Sequence, residues 1–213
     1  MRGNLHNELS KLDVKTIFDI GACNFDDSIS FKLKYPNAEV YAVEADPSNY
    51  IKNYKRAEKY GVKPFHFAMS NETGYTTFYP SLFETEKKIE WRYAGSIIKP
   101  LLKPDTNESL THRVVYDTEG IDIPTKRFDE FCEEINVVKI DLLHIDVEGA
   151  EYKVMKSLGN IRPELIFSET HHYKVKSFDN EINLEEFDDL MSSLGYDIIE
   201  RLEYDTLYKK RNN

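Results

Sequence analysis

Apolar and polar residues alternate along this chain in blocks of two kinds. Val14-Lys15-Thr16-Ile17-Phe18-Asp19-Ile20 is a short, mostly apolar run that ends at Gly21, the pattern of a buried strand. An amphipathic stretch follows through Ile29, Phe31 and Leu33 and stops at Pro36, which cannot continue a helix. Glu39–Glu44 predicts a second strand. Asp46-Pro47 then opens a helix, because Asp is a good N-cap and Pro suits the first helical position. That helix runs past Tyr54 and Ala57, and Gly61 is its natural stop. Val62–Ala68 predicts a third strand. Strands and helices alternating at this spacing imply βαβ units and a parallel sheet.

Residues 70–125 break the rhythm. Asn71-Glu72-Thr73-Gly74 predicts a turn, and Tyr75–Tyr79 an edge strand. Pro80–Arg113 carries few periodic signals but holds Trp91, Tyr93, Gly95 and Ser96, and it reads as an insertion over one end of the sheet. The rhythm then resumes. A helix is expected over Thr125–Asn136 with Phe128, Phe131, Cys132 and Ile135 on one face. A central strand follows at Asp141–Asp146, a helix at Gly149–Leu158, a strand at Glu164–Ser168 and a helix at Leu184–Leu194 stopped by Gly195. Tyr196–Glu200 and Tyr204–Tyr208 predict a closing antiparallel pair. The whole reads as one domain over residues 1–213.

Charge narrows the partners. The formal net charge is −10, which repels phosphate backbones and argues against nucleic acid as a partner. No apolar run approaches the ~18 residues of a membrane span, and the first residues show no signal-peptide pattern. Cys23 and Cys132 are too far apart in sequence for a disulfide framework or metal-ligand spacing, so free thiols are expected. These readings predict a cytoplasmic chain with no membrane contact. Oligomeric state leaves no mark in the pattern.

Three constellations could carry chemistry. Asp19-Ile-Gly21-Ala22-Cys23-Asn24-Phe25 closes the first strand, where a glycine permits a sharp turn and close approach of a ligand. Glu44 ends the second strand, 23 residues after Gly21, where an acid can accept both hydroxyls of a ribose. No full G-x-G-x-x-G is present, which argues against a pyrophosphate-binding dinucleotide site. The second constellation, Asp141 to Glu151, delivers Asp146 and Glu148 to the carboxyl end of a central strand, where open parallel sheets bind ligands. Glu151, in the next helix's first turn, fits a dipole role as well as a functional one. The third is Ser168-Glu169-Thr170-His171-His172-Tyr173, which puts a carboxylate and two histidines at the next strand's end. His66 and His144 fall inside strands and read as structural, and His6 and His112 read as solvated.

From about Thr16 to Tyr173 these residues resemble the FkbM-type methyltransferases. The family's opening motif is similar to Asp19–Phe25, its second-strand motif to Glu44-Ala-Asp46-Pro47-Ser-Asn49, and its most specific segment to Ile145-Asp146-Val-Glu148-Gly149-Ala-Glu151. Ala68-Met69-Ser70, Gly95-Ser96 and Pro163–His171 also follow its pattern. Two positions depart from it: Cys23 replaces the usual Asn, and Phe25 stands where a second Gly is common. Phe25 could crowd the methionine end of the cofactor or reshape the loop.

The resemblance implies an α/β, Rossmann-like class I methyltransferase fold, a mostly parallel seven-stranded sheet with helices on both faces. It implies S-adenosylmethionine (SAM) as cofactor, S-adenosylhomocysteine as product, and a hydroxyl of a small-molecule or glycan acceptor as target. Gly21 and Ala22 would approach SAM through the backbone, Asp19 would fix the turn, Glu44 would hold the ribose, and Ala68 and Met69 would border the adenine. Asp146 and Glu148 would lie near the methyl and the acceptor. His171 is the first choice for the base and Asp146 the second. A divalent ion is compatible with Asp146, Glu148, Glu169 and His171 as ligands, and the sequence requires none. The rival reading is a non-catalytic binding protein on a degenerate methyltransferase fold, which Cys23 and Phe25 favour. A dinucleotide or nucleotide-sugar enzyme is a second rival, opposed by the missing glycines.

Overall fold

Side chains on a strand alternate between two faces, and that alternation builds two cores in this chain. The structure, a computed structural model, describes residues 4–84, 89–110, 113–175, 177–179 and 182–212; His112 lies outside them. A short helix α1 (Leu5–Leu9) that the pattern did not announce precedes β1 (Thr16–Ile20), α2 (Asp26–Lys34), β2 (Glu39–Glu44), α3 (Pro47–Lys59) and β3 (Val62–His66). After the central region come α4 (Phe128–Glu134), β10 (Leu142–Ile145), α5 (Glu151–Lys156), β11 (Leu165–Glu169), α6 (His171–Lys174), α7 (Leu184–Ser193), β12 (Tyr196–Arg201) and β13 (Asp205–Lys210).

Seven strands form one sheet in the order β12-β13-β11-β10-β1-β2-β3. The pairs from β11 to β3 are all parallel, and β13 is antiparallel to both of its neighbours. Phe18, Ile20, Tyr41, Val43, Leu143 and Ile145 pack with Phe128, Phe131, Val154 and Phe187 of α4, α5 and α7. Ile17, Val40, Ala42, Leu142 and Phe167 point the other way, toward Leu5, Leu9, Ile29, Phe31 and Ala57 of α1 to α3. The helices therefore cover both faces, as expected.

The central region departs from expectation. It holds β4 (Ala68–Met69), β5 (Gly74–Phe78), β6 (Ser81–Glu84), β7 (Ile89–Glu90), β8 (Val114–Tyr116) and β9 (Ile121–Lys126). These form two three-stranded sheets, β4-β9-β5 and β7-β6-β8. Pro124 lies within β9 and weakens its strand signal, and most of the other strands are too short to show a period. Thr125 consequently belongs to β9, paired with Ala68 and Gly74, and the helix expected from Thr125 starts at Phe128. No described helix is long and apolar enough to cross a membrane.

Candidate active site

The loop after β1 is shaped by crowding. Gly21 has φ +86°, and a Cβ there would stand 1.7 Å from the Asp146 carbonyl oxygen. Only glycine permits β1 and β10 to converge so closely. The Gly21 and Ala22 N–H groups both donate to the Val43 carbonyl, at 2.9 and 3.0 Å. Cys23 and Phe25 take left-handed backbone at φ 49° and 63°. That conformation explains a glycine preference at position 25, and a non-glycine residue there costs roughly 1–2 kcal/mol. The Phe25 ring is fully buried under α2 and meets Tyr50 edge-on at 6.3 Å. It lines neither cavity described below.

Glu44 ends β2 and is buried. Its Oε2 accepts from Cys23 N–H at 2.6 Å and its Oε1 from Asp46 N–H at 2.8 Å. Burial raises its pKa to about 8, against those two backbone donors. Asp46 caps α3 by accepting from Ser48 and Asn49 N–H. The central region closes over this corner: Arg92 pairs with Asp46 at 3.3 Å, and its carbonyl accepts from Asn49 Nδ2 at 2.7 Å. Between them lies a cavity of about 530 Å³ whose apolar walls include Phe67, Ala68, Met69 and Phe78. Gly95 borders it too, and a Cβ there would meet the Phe78 ring at 2.4 Å.

β10 delivers Asp146 at its carboxyl end, and Glu148 follows with a left-handed φ of 54°. Glu151 braces this turn from within: its Oε1 accepts from Val147 N–H at 3.0 Å and Gly149 N–H at 3.3 Å. The Glu151 side chain is fully buried, which pushes its pKa to about 7 with help from Glu169. It therefore shapes the loop and is not a contact of the cavities. Ser96 Oγ donates to the Glu148 carbonyl at 2.7 Å and so ties the central region to the same turn.

β11 and α6 complete the cluster. His172 Nε2 lies 2.8 Å from Glu148 Oε2 and 3.0 Å from Glu169 Oε2. Burial alone would lower the His172 pKa, but the two carboxylates outweigh it and raise the pKa to about 11. Burial would raise Glu169, yet His172 holds it below the usual carboxylate range. Glu148 is raised by burial and by Glu169, in spite of His172. Asp146 is exposed to the crevice, though walled by enough protein that desolvation, then Glu169 and Glu148, raise its pKa well above normal. A crevice of about 1690 Å³ opens here, reaching Trp91, Tyr93, His171 and Tyr204.

The two cavities share Gly21, Cys23, Tyr93, Asp146 and Glu148. Glu44, Ala68 and Met69 line only the smaller one. Asp19 and Ala22 line only the larger. The Asp19 carboxylate is engaged inside the protein, with His144 Nδ1 at 2.7 Å and the Ser28 hydroxyl. His144 is structural as expected, whereas His6 is half-buried and not solvated. His171 lines the crevice with its ring 4.8 Å from Tyr204, but His172 is the histidine that meets the carboxylates. Among the described residues the metal-capable group is Glu148, Glu169 and His172, with ligand atoms within 4.8 Å of one another, and it does not contain His171. Sequence reasoning also missed Arg92 and Cys23 as cavity residues. No local signal marks Arg92, while Cys23 sits inside the motif as a departure from it.

The chain is similar to known proteins. The chain is 27% identical over 180 residues to the 2-O-methyltransferase NoeI of Sinorhizobium fredii, covering 83% of this chain and 71% of NoeI. It is 26% identical over 145 residues to Methyltransferase 1 of Beauveria bassiana, covering 65% of this chain and 56% of that protein. The crystal structure of methyltransferase FkbM from Methylobacillus flagellatus KT superposes with a TM-score of 0.58 at 13% identity, over 98% of this chain and 47% of that one. The fold is thus the Rossmann-like class I methyltransferase fold. The described family "Methyltransferase FkbM domain" matches residues 19–198, and the chain belongs to it.

Proposed function

We propose that the chain transfers a methyl group from SAM to a hydroxyl of a sugar or another small-molecule or glycan acceptor, releasing S-adenosylhomocysteine. The observation that carries this reading is the meeting of two cavities at Asp146 and Glu148, one beside Glu44 and one open to solvent. The 2-O-methyl transfer for which NoeI is named supports a hydroxyl as target.

The donor set of the smaller cavity fits SAM. The buried Glu44 carboxylate would hold the ribose hydroxyls, and Ala68 and Met69, between Phe67 and Phe78, would border the adenine. When bound, SAM supplies a methyl already activated on a sulfonium, so the protein need only align the acceptor and take a proton. A sugar hydroxyl ionises far above neutral pH, and a base must accept its proton during attack. Asp146 borders both cavities, and its raised pKa suits it to hold that proton. His171, the first choice from sequence, borders only the larger crevice. Burial lowers its pKa, so its neutral ring would orient the acceptor. Glu148, Glu169 and His172 also form a donor set compatible with a divalent ion. The sequence requires none, and full turnover in EDTA would remove the ion from this reading.

Isothermal titration of SAM and S-adenosylhomocysteine into the protein and into Glu44→Ala tests the reading. Micromolar binding by the wild type, lost in the variant, is expected. Absence of binding by the wild type would favour the non-catalytic rival.

A further inference from the structure

The turn between β12 and β13 is fastened from several sides. The Tyr204 carbonyl accepts from the Thr170 N–H at 2.7 Å, and Lys174 Nζ donates to the carbonyls of Leu202 and Glu203 at 3.2 and 2.8 Å. The Leu202 N–H donates to the Asp205 carbonyl at 2.8 Å, and the buried Thr170 and Thr206 hydroxyls meet at 2.8 Å. These bonds tie the turn to the junction of β11 and α6, the segment that carries Glu169, His171 and His172. Tyr204, within the turn, is nevertheless half exposed. An exposed tyrosine alone needs no explanation. This one lines the larger crevice, and its ring is tilted 48° against that of His171 with 4.8 Å between centres. The His171 ring in turn lies 5.6 Å from that of His172, whose Nε2 reaches Glu148. Ring contacts thus connect Tyr204 to the cluster beside Asp146. Tyr204 also lies beyond residues 19–198, the segment that matches the FkbM family.

We propose that Tyr204 is a specificity-determining residue: its ring and that of His171 form a fixed aromatic corner that receives one face of the acceptor's sugar ring. A sugar ring is apolar across its C–H face and polar at its edge. A tyrosine matches it, with an apolar ring face and a phenol at the rim. Because backbone bonds already hold the turn, little ordering is required on binding. Loops carried by a rigid scaffold vary most among related chains and carry much of their binding. A turn outside the family-wide segment is therefore placed to select this chain's own acceptor. The inference rests on the sugar-methylation reading for its ligand, but sugar binding can be measured without transfer.

Saturation-transfer NMR on the full chain with S-adenosylhomocysteine present tests it, with methyl glucoside, methyl mannoside, methyl fucoside and N-acetylglucosamine as probes. At least one sugar should bind the wild type and show saturation on its ring C–H protons. Tyr204→Ala should weaken that binding about tenfold, the effect of losing one aromatic platform. Tyr204→Leu, which keeps an apolar side chain but no ring, should weaken it as well, and Tyr204→Phe should retain most of it. Isothermal titration of S-adenosylhomocysteine should give the same affinity in all four proteins. Undiminished sugar binding by both Tyr204→Ala and Tyr204→Leu would overturn the proposal, as would binding of none of the four sugars by the wild type. Loss of S-adenosylhomocysteine affinity in step with sugar binding would make Tyr204 a structural brace and overturn it too. The bound sugar would then be offered with SAM. Turnover should show KM raised about tenfold in Tyr204→Ala with kcat little changed. Turnover with KM unmoved would overturn the platform and leave the methylation reading standing. Tyr204-dependent binding with no turnover would sink the methylation reading and leave the platform standing.

Discussion

Asp19 with His144, and Glu148 with Glu169 and His172, are built from the same residue types at the ends of neighbouring strands. They differ in what surrounds them. Asp19 and His144 are cross-strand partners in the β1–β10 register, still inside the sheet. His144 stacks on Phe167 and meets Phe31 edge-on, and Ser28 completes the Asp19 shell. One acid faces one imidazole, and both side chains are almost wholly buried at the inner wall of the larger crevice. The second set lies past the strand ends, where one imidazole serves Glu148 and Glu169 with Asp146 close by. There the negative charge exceeds its compensation, pKa values spread, and the group opens to a crevice. A strand end is where the backbone leaves the sheet and side chains gain access to a ligand. Placement along the strand, not residue type, separates the structural pair from the chemical cluster.

The sharpest way to break this comparison is Asp146→Asn. Loss of the proton acceptor should lower kcat by about 10²–10⁴ with little change in Tm or SAM affinity. Turnover near the wild-type level would return the role to His171, and His171→Ala would then carry the loss. The buried pair should behave in the opposite way. Asp19→Ala strands a buried imidazole, and the expected cost is about 3–5 kcal/mol, read as a fall in Tm of roughly 10 °C. A Tm within a degree or two of wild type would show that the pair is not a structural brace.

pH separates the two sets further. His172 has a folded-state pKa of about 11, above its unfolded value, so the folded state holds the extra proton between about pH 6.5 and 11. Its contribution to stability is full below about pH 6.5 and declines as pH rises through that window, by at most about 1.4 kcal/mol per pH unit. Denaturant midpoints for wild type and His172→Asn should converge at high pH. The smallest effect is expected at Glu44, whose pKa is raised to about 8. SAM affinity should rise severalfold as pH passes through 8, because the ionised carboxylate is the better acceptor for two hydroxyls. Titrations of Glu44→Gln should show no such rise.

Much of this protein was legible from pattern alone. The alternation of apolar runs with amphipathic stretches determined the parallel sheet, because parallel strands are buried on both faces and their crossovers must be helices. The closing pair at the C-terminal end followed from its own hydrophobic pattern. Glu44, Asp146 and Glu148 were legible because a carboxyl-terminal strand end is a position that can be counted along a sequence. Tertiary structure decided the rest. The choice between His171 and His172 depends on the turn into α6, and adjacent residues leave such a turn on different sides. Asp19 reads from sequence as the residue that fixes the turn at Gly21, but its cross-strand partner lies 125 residues on and takes up its carboxylate. The strands of the central region and the reach of Arg92 over Asp46 arise from long-range pairing with no local period to announce it. Local sequence sets which elements form and where they end; which side chains then share one crevice is fixed only when distant strand ends converge.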